Sequence, residues 1–322
     1  MLTVDLLPPG FLDAAFREDA RAGLSATPKS LPSKWFYDAE GSALLAKITE
    51  LPEYYLARVE HAILSAMAPR IAELTGARTV VELGLGSMDK TRPLLNALRS
   101  RGTLRSYVGV DVSESAIAAA GDALAAGYPG LAIRGVVADF EEHVGLPGYP
   151  ASGPRLVVFL GSGIGTMTPA RRAAFLARGR SRLRPADAFL LGTDLVKDPA
   201  VLVAAYNDSA GVTAAFDKNV LAILNARLGA DFDLEAFDHV AAWVPEAEWV
   251  GMRLRSAVGQ QVRVPGTGLT VSFAAGEEMR TEIAAKFRRD GVDRELAAAG
   301  LAVRAWWTDP AGRFAVSLSV PV

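Results

Sequence analysis

The sequence predicts an α/β fold: a doubly wound parallel sheet ending in a reversed hairpin, with a second, smaller α+β segment inserted near its end. Three observations carry this. Five short β-rich runs (79–83, 107–111, 131–137, 156–160 and 189–194) alternate with stretches of helical spacing, the pattern of strands joined by helical crossovers. The run at 156–160, Leu-Val-Val-Phe-Leu, is apolar throughout, as a strand covered on both faces must be. After about residue 197 the alternation breaks. From Lys286 a helix (292–299) and two β-rich runs (303–308 and 314–320) close the chain, joined by the turn Asp309-Pro310-Ala311-Gly312.

In chain order, residues 1–35 show helical spacing and then a polar stretch from Pro28 to Lys34, whose prolines argue for an ordered loop. Trp35-Phe36-Tyr37 and Leu51-Pro52-Glu53-Tyr54-Tyr55 flank a short helix at 42–50; such aromatics form either a capping subdomain or the wall of a pocket. Ile63, Leu64, Met67 and Ile71 mark a helix over 58–74. Helices are expected at 91–99, 116–126 and 169–180 between strands, and at 202–210 and 215–228 beyond the break. Strand-like text with Trp243, Trp249, Met252 and Leu254 follows, and then 269–273. The expected organisation is an N-terminal segment (1–56), a sheet domain (57–196 with 286–322) and an inserted segment (197–285). Six arginines between 171 and 184 read as a solvated helix face or, less simply, an RNA-contacting patch.

Composition excludes several chemistries. The 322 residues are 50% hydrophobic and 22% charged, enough to bury a large core. A net charge of −2, from 34 basic and 36 acidic residues, disfavours a broad nucleic-acid surface. The absence of Cys rules out disulfides, thiolate nucleophiles and cysteine-ligated metals, and the three scattered histidines (His61, His143, His239) do not suggest a metal site. Neither a signal peptide nor an 18-residue apolar run is evident, so the expectation is a cytoplasmic monomer without membrane contact.

The sharpest motif is Glu82-Leu83-Gly84-Leu85-Gly86-Ser87, at the end of the first of these strands. Open α/β sheets bind ligands at the carboxyl ends of their strands, and glycines there let backbone approach the ligand. The third glycine of GxGxxG is replaced by Asp89, whose charge would repel a pyrophosphate; this disfavours a nicotinamide oxidoreductase. Asp111, ending the next strand, can accept from both ribose hydroxyls. Asp139-Phe140, ending the third, offers an acceptor for an adenine amino group and a stacking face. Acidic or glycine residues at three successive strand ends point to an adenosine without phosphate, for which S-adenosylmethionine is the natural candidate.

The chain resembles the histidine-specific S-adenosylmethionine-dependent methyltransferases, which make the trimethylated betaine hercynine in ergothioneine biosynthesis. The resemblance rests on Pro28-Lys29-Ser30-Leu31-Pro32, Lys34-Trp35-Phe36-Tyr37-Asp38, Leu51-Pro52-Glu53-Tyr54-Tyr55, Glu82-Leu83-Gly84, Lys90-Thr91 and Asp139-Phe140-Glu141-Glu142-His143. It continues through Val158-Phe159-Leu160-Gly161-Ser162, Gly192-Thr193-Asp194-Leu195-Val196-Lys197-Asp198, Gly276-Glu277-Glu278-Met279 and Lys286-Phe287. It implies a Rossmann-like methyltransferase sheet and a substrate-binding second domain. Tyr37, Gly84, Lys90, Asp111, Asp139 and Phe140, with Gly86 from the motif, would hold the cofactor. Tyr54, Gly161, Tyr206, Met252 and Glu282 would line the amino-acid pocket, with Tyr206 donating to the substrate carboxylate and Glu282 facing the imidazole.

Four positions depart from the family pattern. Thr166 stands where an Asn is expected at the amino-acid head group, Gly163 replaces a small hydroxyl residue, Ala284 replaces a Ser beside the imidazole, and Leu85 replaces a small residue in the glycine turn. Thr166 and Ala284 still belong to the implied pocket, and Tyr54 and Thr166 are the candidates for positioning the amine. The departures leave two substrates open: histidine, or another amino acid or amine such as tyrosine, tryptophan or arginine. A cofactor-binding scaffold without turnover is a further alternative.

Overall fold

The computed structural model describes residues 2–86, 88–140 and 153–322. In chain order the elements are β1 (Leu2–Asp5), α1 (Phe11–Ser25), α2 (Ala39–Glu50), α3 (Leu56–Thr75), β2 (Thr79–Leu83), α4 (Arg92–Ser100), β3 (Ser106–Asp111), α5 (Glu114–Gly127), β4 (Ala132–Val137), β5 (Arg155–Phe159), α6 (Pro169–Arg182) and β6 (Ala188–Asp194). There follow α7 (Pro199–Ala204), α8 (Val212–Leu228), β7 (Phe237–Val244), β8 (Trp249–Ser256), β9 (Gln260–Val264), β10 (Leu269–Phe273), β11 (Glu278–Ala285), α9 (Arg289–Ala298), β12 (Leu301–Thr308) and β13 (Phe314–Pro321). They group into two compact units: residues 1–8, 56–196 and 286–322, and residues 9–55 with 197–285.

The first unit is built on one sheet with strand order β1-β4-β3-β2-β5-β6-β13-β12. Strands β1 to β6 run parallel, and β13 inserts antiparallel between β6 and β12. All of β2 and β6 is buried, as strands covered on both faces are, and this includes the polar Thr79 and Glu82 of β2 and Thr193 and Asp194 of β6. Helix α3 buries Leu56, Val59, Ile63, Leu64, Ala68 and Ile71 at helical spacing. Its apolar stripe also carries a fully buried carboxylate, Glu60. The chain leaves this unit after Val196 and rejoins it at Lys286. That neck is closed by a parallel bridge between Leu195 and Phe287 and by a buried ion pair, Lys286 Nζ to Asp194 Oδ2 at 2.8 Å.

The second unit joins two stretches far apart in sequence. Its sheet runs β11-β8-β7, with β9 and β10 as a separate hairpin. The proline-bounded loop expected at 28–34 lies along β11: Arg280 donates its N–H to Lys29 O, Leu31 donates to Arg280 O, and Lys29 pairs with Glu277. Asp38 caps α2 by accepting from Gly41 N and also accepts from Asn219 Nδ2 of α8. Phe16, Trp35 and Phe36 share one core with Phe216, Val220, Leu224 and Phe237.

Two sequence expectations need correction. Residues 2–5, read as part of a helical segment, form the edge strand β1; its register is set by β4, a partner no local pattern reveals. The helix expected over 202–210 is α7, ending at Ala204, because the Asp208 carboxylate accepts from Val212 N and Thr213 N and so starts α8. Among the six arginines, Arg172 is buried and bidentate to Glu295, Arg180 donates to Gly300 O and Val322 O, and Arg184 pairs with Asp187. These three make intrachain contacts, as a structural helix face does. Ser87 and the Glu141-Glu142-His143 part of the third motif lie outside the described residues.

Removing one partner of a dry ion pair strands the other charge, so Lys286→Met is expected to cost about 3–5 kcal/mol of stability. Urea denaturation of the full chain checks this; an unchanged midpoint would show that the pair does not hold the neck.

Candidate active site

In the first unit the winding direction changes between β2 and β5, which are hydrogen-bonded neighbours. A crevice at such a switch point is where open α/β sheets bind ligands. Gly84 follows β2 and Gly161 follows β5, both left-handed, with φ of +73° and +71°. A Cβ at Gly84 would stand 3.5 Å from the Phe140 ring, and one at Gly161 only 3.0 Å from Lys90 Nζ. The structure therefore brings Gly84 to Phe140 and Gly161 to Lys90. The Phe140 ring packs edge-on against Phe159 and Phe175, with centroids 5.4 and 6.4 Å away.

The acidic residues at the strand ends are already partly engaged. Asp111 Oδ2 accepts from Leu85 N at 2.7 Å and Oδ1 from Ser113 N at 2.8 Å. Burial raises the Asp111 carboxyl above its usual range despite these N–H bonds. Each oxygen keeps acceptor capacity for a further donor. Glu82, buried on the neighbouring strand β2, is also raised by burial; it accepts from Thr91 Oγ1 and Tyr107 OH, both at 2.6 Å. Glu82 thus fixes the start of α4 to β3 rather than facing a ligand. Asp139 is buried at the end of the third parallel crossover.

The turn after β5 is strained and doubly held. Ser162 follows Gly161 with φ of +56°, a conformation that costs a non-glycine residue about 1–3 kcal/mol. Its Oγ accepts from Asp194 N at 3.0 Å. Glu60, from α3, accepts from Gly161 N at 2.7 and 2.9 Å and lies 3.4 Å from Lys90 Nζ. Thr166 Oγ1 donates to Gly163 O at 2.9 Å, so it offers an acceptor, not a donor, to anything beyond the turn.

In the second unit, pairing of β8 with β11 sets Met252 directly opposite Glu282, and Val250 opposite Ala284. A register irregularity between Arg280 and Glu282 separates the start of β11 from this part, the kind of bulge that re-aims a side chain. Tyr54 and Tyr206 meet edge to face at 6.2 Å. Tyr37 is exposed and leans on Phe216. Tyr37 belongs to this unit, whereas the other residues expected at the cofactor belong to the first.

Two groups were invisible in the residue pattern. Glu60 is one; its signal was a carboxylate four residues from both Leu56 and Leu64 on an apolar stripe. The other is His239 on β7, whose buried ring faces the Asp217 carboxylate at 2.7 Å through Nδ1 and the Tyr206 carbonyl at 2.9 Å through Nε2. Two acceptors demand two ring N–H groups, so the imidazolium form fits. Burial alone would lower its pKa, but Asp217, the Tyr206 carbonyl and Asp208 outweigh it and hold it above the ordinary 6.5.

A raised folded-state value means that this pair stabilises fully below pH 6.5 and less as pH rises through the raised value. His239→Gln should remove that part of the pH dependence and cost about 1–3 kcal/mol at acidic pH. Thermal unfolding of both proteins across neutral pH checks the sign; parallel profiles would overturn the assignment.

Among the described residues no helix is long and apolar enough to cross a membrane. Residues 16–321 match the family described as histidine-specific methyltransferase, SAM-dependent. The chain is 55% identical over 306 residues to the histidine N-alpha-methyltransferase of Mycolicibacterium smegmatis, covering 95% of each. It is 53% identical over 305 residues to the protein of the same name from Mycobacterium tuberculosis, covering 95% of this chain and 94% of that one. A solved S-adenosylmethionine-dependent methyltransferase from Clostridium acetobutylicum is similar with a TM-score of 0.49 at 12% identity, over 86% of this chain and 97% of that one. With the match running almost from end to end, the chain belongs to the histidine-specific methyltransferase family and is an enzyme that uses S-adenosylmethionine.

Proposed function

We propose that this enzyme methylates the α-amino nitrogen of free histidine, as far as the trimethylated betaine hercynine. The observation that carries the substrate and the nitrogen is the 55% identity, over 95% of both chains, to a protein named histidine N-alpha-methyltransferase. The pairing of Met252 with Glu282 supports it, since it sets an apolar side chain beside a carboxylate able to accept from an imidazole N–H.

The donor set in the first unit fits an adenosine. Gly84 removes a side chain below Phe140, and Asp111 has acceptor capacity for ribose hydroxyls. We assign Tyr37, Gly84, Gly86, Lys90, Asp111, Asp139 and Phe140 to the cofactor. When bound, it supplies a methyl group on a sulfonium that needs no further activation. The protein's work is then positioning. Tyr206 donates to the substrate carboxylate, Glu282 accepts from the imidazole, and Met252 and Ala284 pack beside the ring. Tyr54, Gly161 and Thr166 hold the amine; the Thr166 oxygen, its O–H engaged in the hydrogen bond to Gly163 O, accepts from the amine N–H. Residues 9–55 and 197–285 are accordingly read as the substrate-binding domain, and the sheet unit as the methyltransferase domain.

A panel of the twenty amino acids with S-adenosylmethionine, read by mass, should give histidine carrying three added methyls as the dominant product. Tyrosine, tryptophan or arginine as the preferred substrate would favour the second reading, which Ala284 and Thr166 motivate. No methylated product at all would leave a cofactor-binding scaffold. Thr166→Asn would add an amide N–H donor at the head group. It should raise kcat/KM for histidine about threefold to tenfold, the worth of one hydrogen bond; an unchanged or lower value would show that Thr166 does not limit histidine use.

A further inference from the structure

Glu60 is the buried charge that the proposed mechanism leaves unexplained. Its side chain is wholly buried on the apolar stripe of α3, where an ionised carboxylate is tolerated only if paired and hydrogen-bonded. It accepts from the Gly161 N–H, at 2.7 and 2.9 Å, and lies 3.4 Å from Lys90 Nζ. Those two residues come from different loops, one after β5 and one before α4. The space it occupies is reserved by a third element: a Cβ at Gly192, in the middle of β6, would lie 2.1 Å from Glu60 Oε1.

We propose that Glu60 is a positioning residue for methyl transfer, its carboxylate fixing the Gly161 peptide and the Lys90 ammonium relative to one another. This rests on the reading above, in which Lys90 serves the cofactor and Gly161 the amino acid. The N–H of Gly161 is the backbone donor of that turn that meets Glu60, and the following Ser162 is already in a left-handed conformation. Anchoring the Gly161 N–H therefore sets the direction of the turn's remaining backbone. The same carboxylate holds Lys90 by charge, at the point where a Cβ on Gly161 would meet its ammonium. Neither of the residues it holds needs contact between Glu60 and a ligand.

The test uses the full-length enzyme and Glu60→Gln, which keeps the side-chain shape and removes the charge. Expected are a weaker dissociation constant for S-adenosylhomocysteine by calorimetry and a lower kcat with histidine, each by about tenfold, the worth of a hydrogen bond to a charged group. The Gly161 amide resonance should move upfield as its acceptor loses charge. Combined with Lys90→Met, the two losses should not add, because they break one unit. Gly192→Ala, which displaces the carboxylate without touching Lys90 or Gly161, should reproduce the loss in affinity. Parental affinity and kcat in Glu60→Gln, an unmoved Gly161 amide, or additive losses in the double variant would each overturn the proposal. If the parent enzyme methylates no amino acid, the functional reading falls, while the cofactor affinity and the Gly161 amide still decide the role of Glu60. If Glu60→Gln fails to fold, Gly192→Ala and Glu60→Asp decide it by the same readouts.

Discussion

The structure of the first unit turns on Asp194. Its carboxylate pairs with Lys286, at the residue where the chain rejoins the sheet after a long excursion. Its carbonyl accepts from Phe287 N, and its own N–H donates to Ser162 Oγ, in the strained turn after β5. One residue at the end of β6 thereby holds both the neck of the excursion and the turn expected to meet substrate. A buried ion pair is a poor source of net stability compared with apolar packing of the same volume. Its use at this place is geometric: it fixes where two distant points of the chain meet, so that residues 197–285 can be inserted without disturbing the strand order.

The same strand ends gather negative charge. Glu60, Glu82, Asp111, Asp139 and Asp194 are all buried or nearly so in a protein whose overall charge is only −2. Partners are assigned with economy: Glu82 to two hydroxyls, Asp194 to a lysine, Asp111 to two backbone N–H groups, Glu60 to one N–H and Lys90. Glu82 and Asp111 feel the cost as carboxyls raised by burial. A field of this sign at the carboxyl ends of β2, β3 and β5 favours a cationic ligand such as a sulfonium and disfavours a phosphate, which agrees with Asp89 standing where a dinucleotide fold has its third glycine.

What could be read in the sequence follows burial. The strands β2 to β6 were legible because short β-rich runs alternate with helical spacing, most plainly at β5, whose Leu156 to Phe159 are buried and apolar, and the closing hairpin because Asp309-Pro310-Ala311-Gly312 is a turn by composition. Strand β1 was not: its four residues are mostly exposed, and only pairing with β4 makes them a strand. Gly84, Asp111 and Asp139 could be picked out from their places at strand ends. Tyr206, Met252 and Ala284 could not, because nothing in a tyrosine, a methionine or an alanine on an apolar stretch distinguishes a pocket from a core; they entered only by resemblance. Glu60 and His239 escaped for the opposite reason, since a charged residue on a helix and a lone histidine on a strand read as ordinary surface.

The departures from the family pattern are physically linked. Thr166 donates to Gly163 O, so the two positions form one closed turn. A Cβ at Gly163 would stand 2.9 Å from the Phe159 ring, so the small hydroxyl residue that the family resemblance leads one to expect there would require that ring to shift. Phe159 in turn packs on Phe140, with centroids 5.4 Å apart, and on Phe175 at 5.0 Å. Phe140 is the ring expected to face adenine. A change at Gly163 made to restore a hydroxyl for the amino acid would therefore be transmitted through Phe159 to the cofactor side. The Thr166 hydroxyl, by contrast, donates within its own turn, to Gly163 O, and among the described residues makes no ring contact with Phe159 or Phe140. In the proposed site, a change at position 166 therefore leaves the Phe159–Phe140 contact in place, whereas one at position 163 presses on it.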